Sequence, residues 1–301
     1  SYSDYKPSYS GNVSGMEWQL QGESKRSNRF IYDELSRLTH SAYNGVVSGG
    51  AYNTSYTYDK HGKIKNLVQR GINSGTTADV VDNLQMEYVG NQLNNVHNVG
   101  KGLKTATSAH FQDYSKDANK AKKEYAYNAN GAMTQDLNKG ITRIQYNSLN
   151  LPQLMDIKSP VGEARNEYPY SAGGQKLRVY QKWNPAFNTN PIIGSDVNVS
   201  AMTASLTTDY VGNKIYENGV LKRTLIDGGY IEGGVYHCYL TDHLGNNRMV
   251  VNASGAVIQK THYYPFGMAF AETTGMANQP YKYNGKELDT KHGLNTYDYA
   301  A

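Results

Sequence analysis

The residues best suited to chemistry lie in one short stretch with the letters DHLGNNR. Asp242 and His243 are adjacent, and a guanidinium follows at Arg248. This trio could move a proton, but general acid-base catalysis also needs an orienting group and a substrate cleft. The competing interpretation is a turn, in which Asp242 and Asn246 hold the backbone and Gly245 takes a positive φ. We favour the turn and expect no catalytic residue here.

Histidines and the single cysteine are the candidates for metal binding. His237 and Cys238 are adjacent, and His243 and His262 follow. Neighbouring residues of a strand point to opposite faces, so His237 and Cys238 cannot easily bind one ion. One cysteine also excludes an intrachain disulfide framework and a cysteine-rich zinc site. We therefore predict no metal and no cofactor.

Two glycine pairs could suggest a phosphate-binding loop. Gly228-Gly229 and Gly233-Gly234 lack the Lys-Ser/Thr and the helix that such a loop requires. This interpretation is rejected.

The segment YYPFG at 263–267 could be an aromatic binding platform. Packing within the fold is the preferred interpretation, with Pro265 ending strand pairing and Gly267 bending the chain. The chain has 27 tyrosines against 5 phenylalanines and 2 tryptophans. Tyrosine rings can stack on sugars, so carbohydrate binding is the alternative to cross-strand packing for this excess.

The elements that would position these residues are short strands and tight turns. Tyrosine favours strands, and 30 glycines with only 8 prolines supply turns. The net charge of +4 arises from 30 basic and 26 acidic residues without long runs, which argues against nucleic acid or an anionic membrane as a partner. No apolar run approaches the roughly 18 residues that a membrane span needs, and the first residues lack the features of a signal peptide.

A strand-turn-strand unit recurs along the chain. A strand ends in Tyr, then Asp or Asn and a small residue turn the chain, and an apolar residue opens the next strand. The clearest turns are Tyr32-Asp33, Tyr58-Asp59 with Gly62, and Tyr127-Asn128 with Gly131. Weaker copies begin at Tyr88, Tyr146, Tyr170 and Tyr210, and the alternative is a set of unrelated hairpins that share turn chemistry.

Three segments interrupt the repeat. Residues 76–85 favour either a short helix or a strand, and residues 101–123 read as a polar surface excursion with at most one helical turn. Residues 184–205 predict a long loop because Pro185 and Pro191 disfavour a helix. We divide the chain into a repeat sheet at 1–206, with insertions at 101–123 and 184–205, and a segment at 207–301 continuous with the same sheet.

Four motifs resemble the Rhs/YD-repeat family, in the Bacteroides-type form of its Rhs repeat-associated core domain. They are YLTDHLGNNR at 239–248, HYYPFGM at 262–268, YKYNGKELD at 281–289 and GLNTYDYAA at 293–301. Two positions depart from the family pattern: Asn247 replaces an apolar residue and Ala300 a glycine. The motif residues to which we assign a structural role are Tyr239, Asp242, His243, Leu244, Gly245, Asn246, Arg248, Tyr263, Tyr264, Pro265, Phe266, Gly267, Tyr283, Asn284, Gly285, Lys286 and Glu287.

The resemblance implies an all-β, antiparallel, strongly curved sheet that forms part of a hollow β-shell. In the family the shell encloses a variable C-terminal toxin, and a following element with an Asp-Pro-x-x-Gly pattern often cleaves itself. We expect that element and the toxin to lie outside these residues.

The resemblance also implies a role. We predict a non-catalytic scaffold that encapsulates and delivers a polymorphic toxin between competing bacteria, with an immunity protein as an indirect partner. The alternative is a cell-surface adhesin that binds glycans. Either role predicts an exported, extracellular or surface protein, and the open sheet edges of a short segment favour self-association.

Overall fold

The computed structural model describes residues 8–45, 47, 49–74, 77–102, 110–115, 123–188, 190–269, 274–275 and 277–299. Within these ranges the chain is built from strands and short 3₁₀ turns, without an α-helix. The predicted all-β, antiparallel fold class is confirmed. The strands are β1 (Gly15–Trp18), β2 (Arg26–Tyr32), β3 (Leu38–Asn44), β4 (Thr54–Tyr58), β5 (Ile64–Ser74), β6 (Thr77–Val89), β7 (Gln92–Asn98), β8 (Tyr125–Tyr127), β9 (Met133–Asp136), β10 (Ile141–Tyr146), β11 (Pro152–Ser159), β12 (Gly162–Glu167), β13 (Arg178–Trp183), β14 (Ala204–Val211), β15 (Lys214–Glu217), β16 (Val220–Ile226), β17 (Gly229–Glu232), β18 (Val235–Thr241), β19 (Asn247–Asn252), β20 (Val257–Lys260), β21 (Glu287–Asp289) and β22 (Thr296–Asp298).

The strands form meanders in which each strand pairs with its neighbour in sequence. Strands β1 to β7 make a seven-stranded sheet, β8 to β20 a thirteen-stranded sheet, and β21 and β22 a two-stranded sheet. The pairs are antiparallel, as between β4 and β5 or between β14 and β15. Residue 206 lies inside β14, in the middle of the thirteen-stranded sheet.

Two compact units divide the chain. The first comprises residues 1–87, 96–111 and 260–275, and the second residues 88–95, 112–259 and 276–301. The core of the first unit includes Tyr43, Tyr52 and Tyr264. The ring of Tyr52 packs edge to face against both others, with its centroid 5.3 Å from that of Tyr43 and 5.9 Å from that of Tyr264. The core of the second is aliphatic and is formed by Ile141, Ile144, Ile157, Ala164 and Leu294.

The interrupting segments have different outcomes. For residues 76–85 the sequence allowed either a short helix or a strand, and the structure has a strand, because β6 occupies Thr77–Val89. Residues 103–109 and 116–122 of the predicted excursion lie outside the described residues. Between β13 and β14 the long connection contains a 3₁₀ turn at Val199–Ala201, and its Asn198 N–H donates to the Glu163 carboxylate at 2.8 Å. The division into domains at residue 206 stays a prediction.

Candidate functional site

Four of the tyrosines that end repeat strands, Tyr32, Tyr58, Tyr127 and Tyr146, donate a hydrogen bond to the backbone of an earlier repeat. The Tyr58 hydroxyl donates to the carbonyl oxygen of Leu38 at 2.6 Å, and the Tyr146 hydroxyl to that of Met133 at 2.5 Å. Both acceptors belong to the residue that opens the strand after the previous turn. Tyr32 and Tyr127 donate in the same way to Val13 and Leu93, at 2.9 Å and 3.0 Å.

A β-bulge brings these hydroxyls to their acceptors. The strand register shifts immediately before Tyr32, Tyr58, Tyr127 and Tyr146. A bulge adds one residue to a strand and re-aims the side chain that follows. We call these four hydrogen bonds the tyrosine links.

The residue after each linking tyrosine holds the turn. Asp59 accepts from the backbone N–H groups of His61 and Lys63 through Oδ1, at 2.8 Å and 2.9 Å. Asp33, Asn128 and Asn147 make the same two bonds, to the second and fourth residues after them. This side-chain bonding is the reason that Asp or Asn is placed there.

The proton-transfer candidates of the sequence lie in a turn of the same type. Asp242 Oδ1 accepts from the N–H groups of Leu244 and Asn246 at 3.0 Å and 3.1 Å, and Oδ2 accepts from Arg248 Nε at 2.9 Å. Gly245 has a φ of 78°. Burial opposes ionisation of Asp242, but the Asn246 hydrogen bonds and the Arg248 charge outweigh it and lower the pKa. His243 is exposed.

This turn is bonded to the YKYNGKE segment. Asn247 donates through Nδ2 to the Tyr281 carbonyl at 2.8 Å and through its backbone N–H to the Lys282 carbonyl at 3.0 Å. Asn284 N–H donates to Asn246 Oδ1 at 2.8 Å. Asn247, one of the two positions that depart from the motif resemblance, supplies two of these three bonds.

The rest of that segment forms a tight turn. Tyr283–Gly285 is a 3₁₀ turn with a positive φ at Asn284. Lys286 packs its ammonium over the Tyr299 ring at 5.5 Å, and Glu287 begins β21.

The aromatic segment at 263–267 is divided between interior and surface. Tyr263 and Tyr264 are buried, whereas Phe266 is 61% exposed and packs edge to face on Tyr56 at 5.4 Å. The Tyr264 hydroxyl donates to the Arg70 carbonyl at 2.7 Å. Pro265 starts a 3₁₀ turn that ends at the buried Gly267.

The histidines and the cysteine considered as metal ligands lie in environments unlike a metal site. His237 stacks on Tyr230 with ring centroids 4.4 Å apart, and Cys238 is exposed. His262 is buried, accepts from Trp18 Nε1 at 3.1 Å and has its Nε2 3.0 Å from Glu23. Across the residues with described positions, no group of three His, Cys, Asp or Glu side chains is arranged to hold a metal. No helix there is long and apolar enough to cross a membrane.

The second unit contains a cavity of about 790 Å³. Side chains of the thirteen-stranded sheet line it together with residues 277–299, including Tyr168, Tyr210, Arg223, Gln279, Lys282 and Tyr297. A cavity of this size lies in the range of small-molecule sites, which usually carry a few convergent polar groups.

An ion-pair cluster lies at the wall of this cavity. Lys176 Nζ contacts the carboxylates of Asp298 and Glu287, and its ammonium lies 4.5 Å from the Tyr210 ring centroid. The Tyr210 hydroxyl donates to Glu287 at 2.8 Å. Burial and the Glu287 charge raise the pKa of Tyr210, so this phenol stays protonated.

A second buried group lies around Lys282. Lys282 Nζ donates to Gln259 Oε1 at 2.5 Å, and Gln279 Nε2 donates to the same oxygen at 3.1 Å. All three residues are at most 1% exposed. Burial, followed by the Arg223 charge, lowers the pKa of Lys282 to about 7.

Sequence reasoning did not single out Lys176, Arg223, Gln259, Gln279 or Lys282. Lys282 lies inside a quoted motif, but the letters YKYNGKE do not distinguish it from Lys286. The distinction is burial, which depends on where residues 277–299 pack.

Comparisons with known proteins support the fold alone. No protein-family profile and no curated protein matches this sequence. Solved structures do match. In the crystal structure of TcdB2-TccC3-Cdc42, one chain aligns with 91% of the present chain, with a TM-score of 0.53 and 13% sequence identity. A TcdB2-TccC3 crystal structure gives a TM-score of 0.53 at 14% identity, also over 91% of the chain. A third, of TcdB2-TccC3 without the hypervariable C-terminal region, gives 0.52 at 13% over the same share.

The present chain spans 15% of the length of those structures' matched chains. At 13–14% identity, these likenesses support an all-β fold of the kind seen in those chains and nothing further.

Proposed function

We propose that this chain is a non-catalytic wall segment of an Rhs-type β-shell, which encloses a C-terminal toxin and delivers it between competing bacteria. The shell would sequester a partly unfolded cargo until delivery. On this proposal the complete protein is exported, the cargo's immunity protein is an indirect partner, and the chain belongs to the Bacteroides-type branch.

The observation that carries the proposal is the fit of 91% of the chain to TcdB2-TccC3 structures. One of those structures is described as lacking a hypervariable C-terminal region, so that protein has such a region. The four tyrosine links add a physical reason, because each bonds the end of a repeat strand to the backbone of earlier residues, and such cross-connections suit an extended wall.

The experiment is protease protection in the complete gene product. We expect polypeptide C-terminal to residue 301 to survive a protease concentration that digests the same polypeptide expressed alone. The matched control is the complete protein in urea, where protection should vanish. Equal digestion of the enclosed and the isolated polypeptide, or a gene product without polypeptide after residue 301, would contradict the proposal.

Glycan binding is the second candidate, favoured by the tyrosine rings that line the cavity, such as Tyr168, Tyr170 and Tyr297. A glycan array probed with this chain tests it. Binding that is lost in Tyr170→Ala but retained in Tyr236→Ala, a change at an exposed strand residue, would support it. Self-association through open sheet edges stays a prediction.

A further inference from the structure

Lys282 differs in its surroundings from Lys176, another of the lysines that line the cavity. Both Lys176 and Lys282 line the cavity, but Lys176 is paired with two carboxylates. The partner of Lys282 Nζ is the amide oxygen of Gln259. A carboxylate stabilises an ammonium ion through its charge, whereas an amide oxygen accepts a hydrogen bond equally from a neutral amine.

The backbone of Lys282 is held on both sides. Its N–H donates to the Lys286 carbonyl at 2.9 Å, and its own carbonyl accepts from Asn247 N–H at 3.0 Å. The turn at 242–248 and the turn at 283–285 therefore position this side chain together. A group fixed in this way needs little reorganisation before it reacts.

The charges around Lys282 favour the neutral amine. Arg223 also lines the cavity, and its guanidinium is bonded to Glu232 at 2.5 Å. Tyr239 and Tyr281 also interact with the Arg223 charge, and burial raises the pKa of each, so both phenols stay protonated at neutral pH. The Glu287 and Asp298 carboxylates act on Tyr281 as well, and both are paired with Lys176. A buried lysine beside another cation is a known arrangement for an amine nucleophile.

We propose that Lys282 is a carbonyl-reactive amine and that the cavity of the second unit is a binding site for small aldehydes, which it holds as imines. This inference does not depend on the proposed role as a shell wall.

The chemistry is a condensation that balances without a redox step. The amine lone pair attacks the aldehyde carbon, and the carbonyl oxygen takes up a proton as the nitrogen loses one, giving a carbinolamine. Loss of water then forms the C=N bond. The Gln259 oxygen can keep one N–H of the amine bonded while the lone pair faces the cavity.

The test is reductive methylation of the intact chain at pH 7 with formaldehyde and a borane reductant, which converts the imine into an N-methyl amine. Peptide mass spectrometry then reports the extent of labelling at each lysine. We expect Lys282 to be methylated at least tenfold faster than Lys176, at a concentration that leaves most surface lysines unmodified.

Gln259→Glu is the decisive variant, because it changes one amide to a carboxylate 2.5 Å from the amine without altering its shape. The new charge should restore the ammonium form and reduce labelling of Lys282 at pH 7 at least tenfold. Lys214→Met, at an exposed β15 residue outside the cavity lining, is the matched control and should leave Lys282 labelling unchanged. Circular dichroism of each variant verifies the β fold.

Slow labelling of Lys282 in the unmodified chain would overturn the proposal. So would unchanged labelling in folded Gln259→Glu protein, because the neutral amine would then not be the reacting species.

Discussion

The hydroxyl of Tyr58 donates a hydrogen bond to the carbonyl oxygen of Leu38, 20 residues earlier, at 2.6 Å. Tyr58 ends one repeat strand and Leu38 opens the strand after the previous repeat turn. The bond therefore connects consecutive repeat units through a side chain, in addition to the backbone ladder. It gives the tyrosine of the repeat a specific function that phenylalanine could not perform.

Replacing that tyrosine tests the link. Tyr58→Phe keeps the ring and removes the hydroxyl, so a part-buried carbonyl loses its partner. We expect the free energy of unfolding to fall by about 1 kcal/mol, the usual size of one hydrogen bond. Urea unfolding measures it, and Tyr236→Phe at an exposed position is the control. Equal effects of the two changes would show that the link contributes nothing.

Replacing Asp242 should lower the free energy of unfolding more than replacing Asp33, which holds a more exposed turn of the same type. Asp242→Ala removes the turn bonds and also leaves the guanidinium of Arg248, 8% exposed, without its carboxylate. Removing one partner of a buried ion pair costs about 3–5 kcal/mol. Asp33→Ala makes the same change in a turn whose arginine is 27% exposed, so we expect a clearly smaller loss in urea unfolding. A larger loss at Asp33 would contradict this assignment.

Gly245 should tolerate asparagine better than alanine. Its φ of 78° is left-handed, and a Cβ there would meet no atom within 4 Å, so the cost is conformational and not steric. We expect Gly245→Ala to lower the free energy of unfolding by about 1–2 kcal/mol. Gly245→Asn should cost less, because Asn150 has a φ of 59° at the same position of its own turn. Thermal unfolding compares the two, and an alanine variant as stable as the asparagine variant would refute the argument.

Asp289 should make stability depend on pH. Burial raises the pKa of Asp289 from 3.8 to about 6, so between these values the folded chain binds a proton more tightly than the unfolded chain. Its contribution to stability therefore rises as the pH falls from 7 to 4. His292 opposes it: burial lowers the pKa of His292 to about 4, and its contribution is lost as the pH falls below 6.5.

A difference measurement separates the two groups. Asp289→Asn keeps the acceptor for the Lys291 N–H and removes the charge. We expect the variant to gain stability relative to the unmodified chain at pH 7, by on the order of 3 kcal/mol, and to lose this advantage by pH 4. Asp227→Asn at an exposed turn is the control. A difference that stays constant from pH 7 to pH 4 would contradict the raised pKa.

Local features of the chain were accessible from the sequence because their causes are local. The Asp59 carboxylate bonds N–H groups two and four residues away, and a positive φ at Gly62 needs no distant partner. The tyrosine and glycine content likewise predicted many short strands and tight turns, and the resemblance of four motifs implied the all-β, antiparallel sheet. The bond from Tyr58 to Leu38 was not predictable, because it depends on a bulge and on which hairpin lies alongside.

The residues around the cavity also separate into features with local causes and features that depend on tertiary packing. The sequence by itself determined where the turns at 242–248 and 283–285 form, since Asp, Asn and Gly favour them locally. Only the tertiary structure decided that Lys282 is buried beside Gln259 and Arg223, because residues 277–299 return to β16 and β20 from distant positions in the chain. Burial removes water from one lysine of the YKYNGKE motif and not from the other, and this desolvation makes the two chemically different.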